Sequence, residues 1–283
     1  MSAEAIRHLA DVHLVGRYLE TSPDFCPDAP TLASSLSVFA TSDHFVASLA
    51  TFGSNLECLF QGYTTPTNAD DLRKALLGRG IDNVQIFAID QIPLPTIYQE
   101  LGVDMPEIEF IQADACAIGD RLAGRKFDLI VQDFVLNCMP PVYIPALLQE
   151  ARRHIKQQGI CLISFSAGAS KLLQCSAISA TSQTDWPQEL TATTRSLADL
   201  ARSDAEFSDL AERWLGQTIS NSKTGEVIQI TSPSGQFEFF LSEAEVMCMI
   251  EAAGFEVFVA NVSSAVDYSG LACSRYRVIA KPN

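Results

Sequence analysis

Two patterns alternate along the chain. Stretches whose apolar positions recur every three to four residues read as helices, and short, almost continuous apolar runs that end in a polar residue read as buried strands. Ala5, Leu9, Val12 and Val15 fall on one helical face, and Pro23, Pro27 and Pro30 then break the chain. A second helical stretch is expected over 32–52. The run 56–61 (Leu-Glu-Cys-Leu-Phe-Gln) is expected to be a strand that stops at Gly62, followed by a loop through Tyr63, Thr64, Thr65 and Pro66. Thr67, with Asp70 three residues on, resembles a capping box and opens a helix that ends near Gly78 or Gly80. Further strands are expected at 84–89, 109–113, 127–132 and 160–165, with a helix over about 144–156 before the last of these.

The stretch 169–225 interrupts this rhythm. Leu197, Leu200, Ala201, Leu210, Ala211 and Trp214 suit an amphipathic helix or helix pair. The runs 227–231 and 236–240 flank Ser232-Pro233-Ser234-Gly235 and read as a β-hairpin. Ser242 with Glu245 caps a helix that closes at Gly254, and 255–262 and 276–281 read as the final two strands.

Strands that are apolar throughout and alternate with helices imply a parallel sheet covered on both faces, which binds ligands beyond the carboxyl ends of its strands. Three strands end there in an aspartate: Asp90, Asp114 and Asp133.

Composition narrows the classes. Of 283 residues, 47% are hydrophobic and 19% charged, which is globular rather than disordered. The net charge of −15, with no run of Lys or Arg, argues against binding to nucleic acid. None of the eight cysteines forms a C-x-x-C pair or a Cys/His cluster, so no metal site is expected. Buried, reduced thiols in a cytoplasmic protein are the simplest reading. The N-terminus does not read as a signal peptide, no stretch suits a membrane span, and no membrane partner is expected.

The strand ends suggest specific chemistry. A carboxylate at Asp90 can accept hydrogen bonds from both hydroxyls of a ribose. Gly62 lets backbone approach a ligand closely. Asp114, beside Ala115, is placed to accept from an exocyclic adenine amine. Asp133 and Phe134 follow the fourth strand beside the expected reactive centre, where an aromatic face can contact a sulfonium cation. Each position also has an ordinary explanation: a polar strand end, a turn-forming Asp, a core Phe, or a cap at Asn137.

The segments Phe87-Ala88-Ile89-Asp90, Phe110–Ala115 and Phe127–Leu136, in this order and spacing, resemble the Rossmann-like (class I) S-adenosylmethionine-dependent methyltransferase family. Ala151–Gly159, and Leu241–Glu245 leading to Ala252-Ala253-Gly254-Phe255, match as well. The resemblance covers 56–166 and 237–281 and leaves out 1–54 and 169–232. It implies an α/β fold with a seven-stranded, mostly parallel sheet whose last strand is antiparallel. It also implies S-adenosyl-L-methionine as cofactor, held at Gly62, Tyr63, Thr64, Asp90, Gln91, Asp114, Ala115, Asp133 and Phe134. Phe134, Asn137 and Tyr63 are then the residues expected to position the reacting groups. Where the family carries a glycine-rich loop after its first strand, this chain has Gln-Gly-Tyr-Thr-Thr-Pro-Thr, with one glycine.

On this reading the chain divides into a helical N-terminal cover (1–54), a cofactor-binding core (55–168), a helical and hairpin insertion (169–232) and the C-terminal part of the core sheet (233–283). The expected activity is methyl transfer to a small metabolite. A sulfonium already makes its methyl electrophilic, so the protein needs mainly to align the acceptor. Two other readings compete. The same cofactor could be consumed through its aminocarboxypropyl arm, by transfer or by cyclisation to azetidine-2-carboxylate, releasing methylthioadenosine. The chain could also be a non-catalytic binding subunit. The sequence leaves the acceptor and the oligomeric state open.

Overall fold

In the computed structural model the described residues are 32–63, 67–90, 94–95, 104–139, 143–168, 174–177, 218–220, 227–229, 237–266 and 272–283. The elements in chain order are α1 (Leu32–Phe39), α2 (Asp43–Leu49), β1 (Asn55–Gln61), α3 (Thr67–Leu77), β2 (Asn83–Asp90), β3 (Glu109–Gln112), β4 (Phe127–Asp133), α4 (Ile144–His154), β5 (Ile155–Gly168), β6 (Gln174–Ala177), β7 (Thr218–Ser220), β8 (Val227–Gln229), β9 (Phe237–Phe240), α5 (Glu243–Ala252), β10 (Phe255–Val266) and β11 (Ala272–Pro282).

Seven strands form one sheet in the order β10-β11-β5-β4-β1-β2-β3. Neighbours from β5 to β3 are parallel, and β11 runs antiparallel to both β5 and β10. This is the seven-stranded α/β sheet with an antiparallel last strand that the sequence implied.

Alternate residues divide the sheet between two cores, which is why its strands read as unbroken apolar runs. On one face Cys58, Phe60, Ile86, Ala88, Leu129, Val131 and Leu162 pack against Leu36 and Phe39 of α1, Phe45 of α2 and Leu72 and Leu76 of α3. On the other, Leu59, Phe87, Ile130, Cys161, Ile163 and Val278 pack against Leu147 and Leu148 of α4 and Val246 and Ile250 of α5.

Several boundaries differ from expectation for local reasons. The stretch 32–52 is two helices rather than one. Around the break, the Thr41 hydroxyl donates to the Val38 carbonyl and the Ser42 N–H to the Phe39 carbonyl, contacts that compete with helix continuation. These helices lie against a face of the sheet. His44 stacks on Phe258 near the start of β10, with ring centres 3.8 Å apart, far from the carboxyl edge. The rest of the expected N-terminal cover, 1–31, lies outside the described residues. So does the amphipathic helix expected around 197–215.

β5 begins five residues early. α4 passes directly into it at His154, and Ile155 pairs with Phe127 before the register shifts. The expected hairpin between 227–231 and 236–240 is corrected. Val227–Gln229 pairs with Thr218–Ser220, and Phe237–Phe240 pairs with Gln174–Ala177. The second partnership spans some sixty residues, beyond the reach of a local turn signal.

The capping box at Ser242 forms as expected. The hydroxyl accepts from the Glu245 N–H, and the Glu245 carboxylate accepts from the Ser242 N–H at 2.9 Å. Ser242→Ala is expected to cost about 1 kcal/mol, read as a lower urea midpoint with an unchanged slope.

Candidate functional site

The strand order reverses between β4 and β1. β4 leads on to β5 on one side, while β1 leads to β2 and β3 on the other. Chains leaving adjacent strands in opposite directions open a crevice at the carboxyl edge. The residues that line this edge come from the ends of β1 to β5.

Gly62, at the exit of β1, adopts φ +82°, a region costly for other residues. A Cβ built there would lie 2.5 Å from Cγ2 of Val135, in the turn after β4. The close approach that requires glycine is therefore made by this chain's own Val135. The Gly62 N–H donates to the Ile89 carbonyl at 3.0 Å and the Tyr63 N–H reaches the same oxygen at 3.4 Å, which ties the exit of β1 to the end of β2.

The sequence reading of Tyr63 is corrected. Its ring is fully buried in the α1–α3 core, edge-on to Phe60 at 5.5 Å. Burial pushes its hydroxyl pKa well up, against a smaller opposing effect of the Ala69 backbone. A phenol held there does not offer its hydroxyl to a ligand at the crevice. Thr64 and Gln91 lie outside the described residues.

Asp90 ends β2 with 5% of its surface exposed, and its carbonyl accepts from the Ala113 N–H at 3.0 Å. Asp114 is half-buried, and its Oδ1 accepts from the Cys116 N–H at 2.8 Å, closing a turn after β3. The turn is held from below by two glutamines near the ends of β1 and β4. Gln132 Nε2 donates to Gln61 Oε1 at 2.6 Å, and Gln61 Nε2 donates to the Ala115 carbonyl at 3.5 Å. Both side chains are fully buried. They fix the Asp114–Ala115 turn relative to β1 and β4. Burial, then Asp114, push the Cys116 thiol up to about 12, so it is no nucleophile at neutral pH.

A second set of groups lies on the β4–β5–β11 side. Asp133, Ser164 and Arg277 sit directly beside one another across the three strands. Burial raises the Asp133 pKa, and the Ser164 and Ser35 hydroxyls and the Arg277 charge pull it back only in part. Its Oδ1 is buried with no hydrogen-bond partner.

Phe134 follows with φ 55° and ψ 11°, an uncommon left-handed conformation for a bulky residue, and its N–H donates to the Ser164 carbonyl at 2.9 Å. The cation over its ring is Arg277, with the guanidinium carbon 5.6 Å from the ring centre. The expected sulfonium contact is thus met by a competitor from the protein itself. Asn137 is also revised. Its Nδ2 donates to the Ser166 carbonyl at 2.9 Å and its Oδ1 accepts from the Ser166 N–H at 2.8 Å. It clamps the turn after β4 to β5, which positions Phe134 rather than a reacting arm.

Arg277, Ser164, Ser35 and Gln132 were missed by the sequence reading. Only Arg277 left a readable signal: in Arg275-Tyr276-Arg277 a strand places both arginines on one face.

No protein-family model and no curated protein matches the chain. Among solved structures it is similar to the N-terminal domain of EvdMO1 with SAH bound, at 12% identity over 89% of this chain and 81% of that one, TM-score 0.47. It is also similar to 1,6-didemethyltoxoflavin-N1-methyltransferase of Burkholderia thailandensis, at 12% identity over 89% and 80%, TM-score 0.42. A SAM-dependent methyltransferase of Methanosarcina mazei matches at 14% identity over 82% and 95%, TM-score 0.44. With identities and TM-scores this low, the fold rests on the strand order and register described above.

Proposed function

We propose that this chain is an S-adenosylmethionine-dependent transferase that delivers a methyl group to a small-molecule acceptor. The observation that carries the reading is the placement of Asp90 and Asp114 at the carboxyl ends of adjacent strands, next to the Gly62 turn at the point where the strand order reverses. An adenosine fits these groups. Asp90 would accept from the two ribose hydroxyls. Asp114 would accept from the adenine amine through the oxygen not used in its turn, and Ala115 would lie against the ring.

When bound, the sulfonium supplies an electrophilic methyl group, and the protein's part is alignment and exclusion of water. The Gly62–Ile89 and Asn137–Ser166 hydrogen bonds hold the exits of β1 and β4 in fixed relation, so acceptor and methyl donor would meet in one geometry. Burial raises the Asp133 pKa, and the Ser164 and Ser35 hydroxyls and the Arg277 charge oppose that shift. The described cysteines that are free thiols agree with a reducing compartment such as the cytoplasm.

Calorimetry with S-adenosylmethionine, followed by mass spectrometry of the products with and without a metabolite extract, tests this. The expected result is binding, and S-adenosylhomocysteine formed only when an acceptor is present. Methylthioadenosine released from the cofactor alone would replace methyl transfer with chemistry on the aminocarboxypropyl arm. No measurable binding would favour a non-catalytic subunit.

A further inference from the structure

Gln61 and Gln132 are fully buried at the point where the strand order reverses. They follow the Phe60–Val131 pair of β1 and β4. Like Leu59 and Ile130 two residues earlier, they point to the α4–α5 face of the sheet. Filling that space does not require a polar group. An apolar side chain of similar length would avoid the desolvation of an amide. That penalty is visible at Gln132, whose Oε1 is buried with no hydrogen-bond partner among the described residues.

What the pair supplies is direction. Gln132 Nε2 donates to Gln61 Oε1 at 2.6 Å. With its oxygen held there, Gln61 turns its Nε2 to the Ala115 carbonyl, 3.5 Å away. Flipping the Gln61 amide would set two NH₂ groups against each other at one end and two oxygens at the other. Flipping both amides would mend the first contact and still leave the Gln61 oxygen facing the Ala115 carbonyl. The relay therefore runs in one sense. In the order β4-β1-β2-β3 it starts on β4, passes through β1, crosses β2 and ends on the turn after β3.

The relay decides what that turn can offer. The Asp114 carbonyl accepts from the Ala117 N–H at 3.0 Å, and Asp114 Oδ1 accepts from the Cys116 N–H at 2.8 Å. The Ala115 carbonyl is taken by Gln61. Of the oxygens of these two residues, only Asp114 Oδ2 accepts from no N–H group among the described residues. An exocyclic amine, which donates, matches such an oxygen. A purine that carries a carbonyl at the same place would meet it oxygen to oxygen.

We propose that Gln61 and Gln132 are positioning residues for base selection. By holding the Ala115 carbonyl they aim the Asp114 carboxylate, so that the site takes adenine and rejects hypoxanthine. Gln132 acts only through Gln61, by fixing which end of its amide faces the turn. The inference rests on the cofactor reading, which places the base at Asp114.

The test is calorimetry of the full chain with three ligands. They are S-adenosylhomocysteine, S-inosylhomocysteine, which has an oxygen in place of the amine, and 2′,3′-dideoxy-S-adenosylhomocysteine. Wild type should prefer adenine to hypoxanthine by about thirtyfold or more. Gln61→Met keeps the length and removes the donor, and should cut that preference by about tenfold. Gln132→Met should cut it by about threefold or more, and the double variant should lose no more than Gln61→Met alone. The preference for the ribose hydroxyls should change by less than about threefold in every variant, because Asp90 lies outside the relay.

An unchanged base preference in Gln61→Met overturns the proposal. A parallel fall of the base and ribose preferences also overturns it, since glutamines that only support the fold would weaken both. Additive losses in the double variant would give Gln132 a route of its own and overturn the relay. Should the methionine variants not fold, the side-chain amide NMR signals of Gln61 and Gln132 in wild type decide. S-adenosylhomocysteine should shift both by more than S-inosylhomocysteine does, and equal shifts overturn the proposal. If wild type binds S-adenosylhomocysteine without a base preference, base selection fails and the cofactor reading stands. If it binds none, the cofactor reading fails and takes base selection with it.

Discussion

Gly62→Ala is expected to destabilise the chain by about 2–5 kcal/mol and to weaken cofactor binding with it. Two separate costs add. At φ +82° an L side chain loses roughly 1–2 kcal/mol against its own backbone. The new methyl would also meet Val135 Cγ2 at 2.5 Å, an overlap that neither side can relieve by rotating a flexible side chain. Forcing such an atom into packed surroundings costs roughly 1–3 kcal/mol. The two terms separate in the double variant Gly62→Ala/Val135→Ala. Removing the valine methyls should restore the packing share and leave the backbone share, a coupling of about 1–3 kcal/mol. Urea unfolding of the two single variants, the double variant and wild type measures this. Strict additivity would mean that Val135 is not what demands a glycine. The affinity loss follows because the Gly62 and Tyr63 N–H groups both donate to the Ile89 carbonyl, one residue before Asp90. A displaced turn moves the carboxylate that is proposed to grip the ribose.

The inner strands β1, β2, β4 and β5 were legible because both faces are covered, so each had to be apolar almost throughout, and that survives as a run in the sequence. The aspartates at 90, 114 and 133 were legible because polarity returns where a strand leaves the core. What was lost shares one cause, the dependence of a side chain's role on a partner far away in sequence. Gln61 and Gln132 look like the same polar strand ends, yet they bond to each other from adjacent strands and hold the Ala115 turn. Tyr63 follows a glycine in a segment that reads as loop, but the positive φ of Gly62 turns the chain so that the ring enters the core. Asn137 looked like a ligand contact or a cap. It is instead matched to a backbone segment 29 residues away. Phe134 was expected to face a cation, and it does, but that cation comes from a strand at the other end of the chain.

Asp90→Ala is expected to weaken S-adenosylhomocysteine binding by about 3–6 kcal/mol, roughly 10²- to 10⁴-fold in Kd. A carboxylate at the tip of β2 can accept from both ribose hydroxyls at once, and hydrogen bonds to a charged acceptor contribute roughly 1.5–3 kcal/mol each. Truncation removes both and leaves two hydroxyls to be buried without partners. Asp90→Asn keeps the shape but turns one acceptor into a donor and loses the charge, so it should fall between alanine and wild type. Loss of affinity alone would not assign the role, because Asp90 is 95% buried and its removal also disturbs the end of β2. A ligand lacking the hydroxyls resolves this. Wild type should discriminate strongly between S-adenosylhomocysteine and its 2′,3′-dideoxy analogue, and Asp90→Ala should discriminate between them by less than threefold. If the variant keeps the wild-type preference, the carboxylate acts on the fold rather than on the ribose. The proposed grip on the cofactor would then have to come from the Asp114 turn, which Gln61 and Gln132 hold in place from the core.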